Sequence, residues 1–148
     1  MEKTKIVGLL NKILEMELAG AVRYTHYSLM VYGYNRIPIV GWLREQATES
    51  LNHATQAGEM ITALGEHPSL TIGPLLETHK HDIGDILREA LEHERGGLAM
   101  YKQLLAEVEG KEVWLEEYAR QLIYQEEMHT FEVDKMLRKP GDVKSVIP

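Results

Sequence analysis

Four stretches of the chain carry apolar residues at alternating spacings of three and four, and this rhythm predicts four amphipathic helices. The first runs from Thr4, an N-cap candidate, to about Tyr32, with Gly33 near its end; its inward stripe reads Leu10, Ile13 or Leu14, Glu17, Ala21, Tyr24 and Ser28. A turn around Asn35 to Pro38 leads into the second, from about Val40 to Leu64. Its stripe is Leu43, Gln46, Ser50, His53, Ala57, Met60 and Leu64, and Gly65 stands where a helix C-cap favours glycine. The third, from about Asp82 to Glu109, carries Ile83, Leu87, Ala90, Glu94, Gly97, Tyr101, Leu104 and Val108 and stops at Gly110. The fourth, from about Trp114 to Leu137, carries Leu115, Ala119, Leu122, Glu126, His129, Val133 and Met136.

Between Glu66 and about Lys80, Pro68, Gly73 and Pro74 exclude a continuous helix. A link of that length can cross a whole bundle and leave the second and third helices parallel. The pattern therefore predicts an all-α fold, a four-helix up-down bundle over residues 1–139 with one long crossover, followed by a short tail, 140–148, that opens on Pro140-Gly141. His79 and His81, at the end of the crossover, resemble a small metal motif but read as solvent-facing loop histidines, as does His67. His93 lies off its stripe and is expected on the surface. Gly96 and Gly97, mid-helix, are expected to relieve crowding or to permit a bulge.

The stripes are not uniformly apolar. Glu17, His53 with Ser50, Glu94, and Glu126 with His129 interrupt them near the middle of each helix, so in an up-down bundle these side chains should converge in one layer. An ionised carboxylate buried without a partner costs many kcal/mol, and three together would repel severely unless cations sat among them. Glu126 and His129, three apart on one face, suit a transition metal. Tyr24, two turns beyond Glu17, is placed to lend a hydroxyl to whatever Glu17 contacts. Glu49 neighbours His53 but projects on the other side of it from Ser50.

Composition narrows the chemistry. A chain of 148 residues, 44% of them hydrophobic, is one domain with a sizeable core. A net charge of −7 disfavours nucleic acid and anionic membranes and suits cations. The absence of cysteine leaves only oxygen and nitrogen as metal donors. With neither a spanning segment nor an apolar leader, a cytoplasmic protein is expected.

Over nearly its whole length the chain resembles the bacterioferritins and their ferritin-like relatives. The matching residues are Leu10-Asn11-Lys12, Glu17-Leu18-Ala19, Tyr24, His53-Ala54, Leu64-Gly65 with Pro68, Glu94 with Gly97, and Glu126-Glu127-Met128-His129. The resemblance implies a di-iron centre, with iron or manganese or zinc in its place. In it Glu17 and His53 hold one ion, Glu94 and His129 hold the other, and Glu126 bridges. It implies oxidation of Fe(II) by dioxygen or hydrogen peroxide for iron storage or detoxification, with Glu126 and Tyr24 as the catalytic residues. It also implies an oligomer, either of identical chains, at least a dimer, or with a homologue.

Three residues or segments depart from that family's pattern. Ser50 occupies the place of a second bridging carboxylate, which Glu49 could supply only through a bulge or tilt of its helix. Leu51 replaces the methionine that ligates haem and has no lone pair for an axial bond, so no haem is expected. The tail is too short for the additional C-terminal helix used in shell packing. These departures carry the alternative reading of a structural or partner subunit that binds one metal or none.

Overall fold

The computed structural model describes residues 2–147, so the outermost residues of the expected domain and tail, 1 and 148, lie outside it. Among the described residues there are four helices and no strand: α1 (Lys3–Leu29), α2 (Arg36–Ala63), α3 (Ile83–Val108) and α4 (Val113–Leu137). The expected boundaries shift slightly. Glu2, not Thr4, occupies the N-cap of α1, and α1 ends three residues before Tyr32. Helix α2 starts before Pro38, which sits in its first turn, where a missing N–H leaves no hydrogen bond unmade. Asp82 caps α3 by accepting from the Gly84 N–H at 3.0 Å.

Pairwise contacts give the topology. Glu17 meets His53 and Lys3 meets Glu66, so α1 and α2 are antiparallel. Lys5 meets Glu107 and Arg23 meets His93, so α1 and α3 are antiparallel and α2 runs parallel to α3. The crossover makes that parallel arrangement possible, and α1 pins it in place. Asn11 Oδ1 accepts from the Ser69 N–H at 2.8 Å, and the Gly73 N–H donates to the Glu15 carbonyl at 2.9 Å. A Cβ on Gly73 would lie 2.9 Å from that same carbonyl oxygen, so only glycine lets the chain pass.

Gly97 is the mid-helix glycine with a packing role: a Cβ there would meet Met16 Cε at 2.7 Å, whereas nothing approaches Gly96. Helix α3 passes through both without a bulge. The core is divided. Ile6, Leu10, Ile13, Ile61, Leu104, Leu115 and Leu122 pack toward one end, and Tyr24, Val40, Leu43 and Ile86 toward the other. Fully burying each Leu or Ile stabilises the fold by about 1.5–3 kcal/mol. Glu17, His53, Glu94 and Glu126, all buried, lie between these two clusters.

The tail folds back on α4. Asp134 Oδ1 accepts from the Val146 N–H at 2.7 Å and the Ile147 N–H at 3.1 Å, and Ile147 packs against Leu87, Leu91 and Val133. No fifth helix follows α4 among the described residues.

Candidate metal centre

Three carboxylates from three helices meet in the polar layer. Glu17 on α1, Glu94 on α3 and Glu126 on α4 are buried to within a few per cent, as is His53 on α2. The helical stripes turn these residues inward, and the bundle topology sets them at one height. His53 Nδ1 lies 2.8 Å from Glu17 Oε2 and 3.1 Å from Glu126 Oε1. On the far side of the ring, His53 Nε2 is 3.0 Å from Gln125 Oε1 and 3.6 Å from Glu49 Oε1. Because Gln125 Oε1 can only accept, Nε2 carries a proton, while Nδ1 faces the two carboxylates and donates to them until a cation displaces its proton.

The second imidazole is held differently. His129 Nε2 is 3.1 Å from the Tyr24 hydroxyl and 3.8 Å from Glu94 Oε1, and its ring stacks on Trp42 at 5.7 Å between centroids. Tyr24 donates to Glu94 Oε1 at 2.8 Å. The Tyr24 hydroxyl thus serves Glu94 and His129, not the Glu17 side of the layer.

The electrostatics follow from burial. Desolvation, together with the charges of Glu94 and Glu49, pushes Glu17 up to about 7 despite the favourable His53 contact. Burial, then the Glu126 charge, holds Glu94 well above the usual carboxylate range. Burial opposes a charge on His53, but its contacts with Glu126 and Glu17 overcome it and raise the group to about 11. Burial beside Glu94 also drives the Tyr24 hydroxyl upward. Without a cation, the layer stays together by retaining protons.

The donor set suits a metal better than it suits protons. Glu17 Oε2 and Glu126 Oε2 are buried and make no well-directed hydrogen bond. Donor atoms from Glu17, His53 and Glu126 lie within 4.8 Å of one another, a cluster that one ion could draw together. Hard carboxylate oxygens with imidazole nitrogen fit iron, manganese or zinc.

Ser50 is buried and turns toward Gly20, whose missing side chain gives it room: a Cβ on Gly20 would lie 3.0 Å from Ser50 Oγ and from His93 Nε2. Helix α2 is unbroken here, so no bulge carries Glu49 inward. Glu49 instead lines a small cavity with Ser50, His53, Glu94, Glu126 and His129. A cleft of about 300 Å³ between α2 and α4, lined by Trp42, Gln46, Glu49, Tyr124, Gln125, Met128, His129 and Glu132, opens beside it.

Sequence patterns did not reveal Gln125, which is exposed, or Trp42, which lies off the stripe of its helix. The one available signal for Gln125 was its place immediately before Glu126, on the edge of α4 that faces α2. His93 also departs from expectation. It is half-buried, its Nδ1 accepts from Arg23 Nη1 at 3.0 Å, and desolvation, then the Arg23 charge, lowers it to about 4.

A helical bundle with a carboxylate–histidine layer at mid-height defines the class of the protein, and comparison with known families gives the same answer. The ferritin-like domain model matches residues 7–141, and the chain belongs to that family. Among solved structures, the fold is similar to a ferritin-like diiron-carboxylate protein from Bacillus anthracis str. Ames, at 21% identity and TM-score 0.83 over 92% of this chain and 97% of that one. It is also similar to a dodecameric thioferritin, a bacterioferritin-related protein from Bacteroides fragilis, at 21% identity and TM-score 0.84 over 93% and 86%. The bacterioferritin of Rhodobacter capsulatus, described with a metal-free dinuclear site and haem iron, matches at 22% identity and TM-score 0.81 over 90% and 84%. No curated protein sequence matches.

Proposed function

We propose that this chain binds iron at the Glu17–His53–Glu94–Glu126–His129 layer and oxidises Fe(II) with dioxygen or hydrogen peroxide, in iron storage or detoxification. The observation that carries this reading is the pair of buried, unpartnered carboxylate oxygens on Glu17 and Glu126, both within a cluster that includes His53. An iron pair bound there supplies two electrons to one oxidant.

The side chains divide the work. Glu17, His53 and Glu126 hold the first ion, with Gln125 fixing the His53 tautomer. Glu94 and His129 would hold the second, with Glu126 available to both. Tyr24, hydrogen-bonded to Glu94 and His129, is placed to hand a proton along that line. The cleft between α2 and α4 gives the substrate ion a way in past Glu49 and Glu132. Leu51 is exposed and offers haem no axial ligand.

Exposed Tyr32, Tyr34 and Ile37, clustered at the α1–α2 turn, support assembly with further copies or with a homologue. No helix among the described residues is long and apolar enough to cross a membrane.

The test is anaerobic Fe(II) titration followed by oxygen or peroxide uptake. Two Fe(II) bound per chain and rapid uptake are expected. A partner-subunit reading, favoured by Ser50 in place of a bridging carboxylate, requires one ion or none and no uptake.

A further inference from the structure

A second cluster of metal-binding side chains lies outside the bundle, where the end of the crossover returns to α1. His26 Nε2 is 2.8 Å from Glu77 Oε2, and His81 Nε2 is 3.3 Å from Glu77 Oε1. Donor atoms of the three residues all lie within 4.8 Å of one another. We propose that His26, Glu77 and His81 form a surface site for a divalent transition-metal ion of the zinc class, which clamps the crossover onto α1.

The chemistry of the donors is specific. Both imidazoles approach the same carboxylate through Nε2. Each nitrogen either carries a proton and donates it to the carboxylate or shares a cation with it. Two imidazoles and one carboxylate form a donor set that zinc and its neighbours accept, with a remaining position open to water. Bonds of about 2.0–2.2 Å in tetrahedral geometry place donor atoms roughly 3.3–3.6 Å apart. The observed separations reach that geometry with small movements of exposed side chains.

The backbone is shaped for the cluster. His79 adopts φ 57°, in the left-handed region, which costs a non-glycine residue about 1 kcal/mol or more. That conformation aims the His79 N–H at Glu77 Oε1, 2.6 Å away, and turns the chain so that His81 returns to the same carboxylate. Thr78 Oγ1 donates to Glu89 Oε1 at 2.8 Å and anchors the loop on α3. The His79 N–H and both imidazoles thus converge on the one Glu77 carboxylate. His26 comes from the last turn of α1, so the three ligands join two segments about 50 residues apart in sequence.

The test uses the full chain without a histidine tag, titrated with zinc by calorimetry, alongside His26→Ala and His81→Ala. Both positions are partly exposed and far from the bundle core, so the variants should fold. The wild type is expected to bind one zinc per chain more than either variant, or to bind that ion at least tenfold more tightly. Zinc should also slow amide hydrogen exchange across residues 74–81 in the wild type alone. Equal zinc stoichiometry and affinity in all three proteins, or equal slowing of the loop, would overturn the proposal.

Discussion

The two imidazoles of the central layer, one on α2 and one on α4, sit in unlike surroundings. His53 turns its Nδ1 toward two buried carboxylates, and Gln125 holds its opposite nitrogen. His129 is flanked by one carboxylate, a tyrosine hydroxyl and the face of Trp42, and the position that would have brought it a further acid is Ser50. One half of the site therefore gathers two carboxylates around an imidazole, while the other is knit by hydrogen bonds to a tyrosine. The difference predicts unequal affinity: the first ion should occupy the His53 half, and the second should bind more weakly.

The most severe test removes the residue common to both halves. Glu126→Ala should abolish iron-dependent oxygen consumption, a fall of more than about a hundredfold, because a lost ligand costs at least as much as a lost outer partner. Oxygen electrode traces that matched the wild type would refute the assignment of Glu126. The single-half variants His53→Ala and His129→Ala should then differ. The first should lose both ions, and the second should keep one, as counted by calorimetry.

The next effect is a stability that depends on pH with opposite sign in the metal-free and metal-bound protein. Glu17 keeps its proton to about 7 in the fold but only to its ordinary 4.5 when unfolded. Across that interval the folded state binds more protons, so stability falls as pH rises. Glu94 acts in the same direction. The contribution of His53 is fully present below its ordinary 6.5 and is lost as pH climbs toward about 11. The metal-free chain should therefore melt at higher temperature at pH 5 than at pH 8.5, with Glu17 alone worth on the order of 3 kcal/mol. Metal ligands must be deprotonated, so with ions bound the trend should reverse. Differential scanning calorimetry with and without chelator decides it, and parallel slopes would contradict the proposal.

A subtler change would repair the weaker half. Ser50→Glu adds a carboxylate where α2 faces the His129 side and should tighten the second ion by about thirtyfold, since an added charge in a site of reduced dielectric is worth a few kcal/mol. No gain by calorimetry would mean that Glu49, which lines the same small cavity, already fills the role.

How much of this was legible in the sequence follows from which residues obey helical periodicity. Glu17, His53, Glu94 and Glu126 stand on inward stripes, so their burial could be read from spacing alone. The partnership of Tyr24 could not, because periodicity gives a residue's face but not which neighbouring helix its tip reaches. His93 was misplaced for a related reason. Gly20 and Gly97 leave space between α1 and α3, and an imidazole off the stripe of α3 turns into it beside Arg23. Gln125 and Trp42 are polar or aromatic residues at the margin of a helix face, where the pattern has least to say. The His26–Glu77–His81 cluster was legible only in part. His79 and His81 stood out, but the pairing with His26 depends on where the crossover comes to rest.

The mildest prediction concerns the outer partner that distinguishes the two imidazoles. Gln125 accepts from His53 Nε2 and thereby leaves Nδ1 as the nitrogen that faces inward and ligates. Gln125→Leu removes that acceptor, although Glu49 at 3.6 Å can partly take over. First-ion affinity should fall by about tenfold, the low end for loss of an outer-shell hydrogen bond to a ligating histidine. Gln125→Glu retains an oxygen at the same reach and should restore most of the binding. If both substitutions weakened the ion equally, the effect would be one of packing at the edge of α4 and not of tautomer control. If neither did, the two imidazoles would owe their difference to Trp42 and Tyr24 alone.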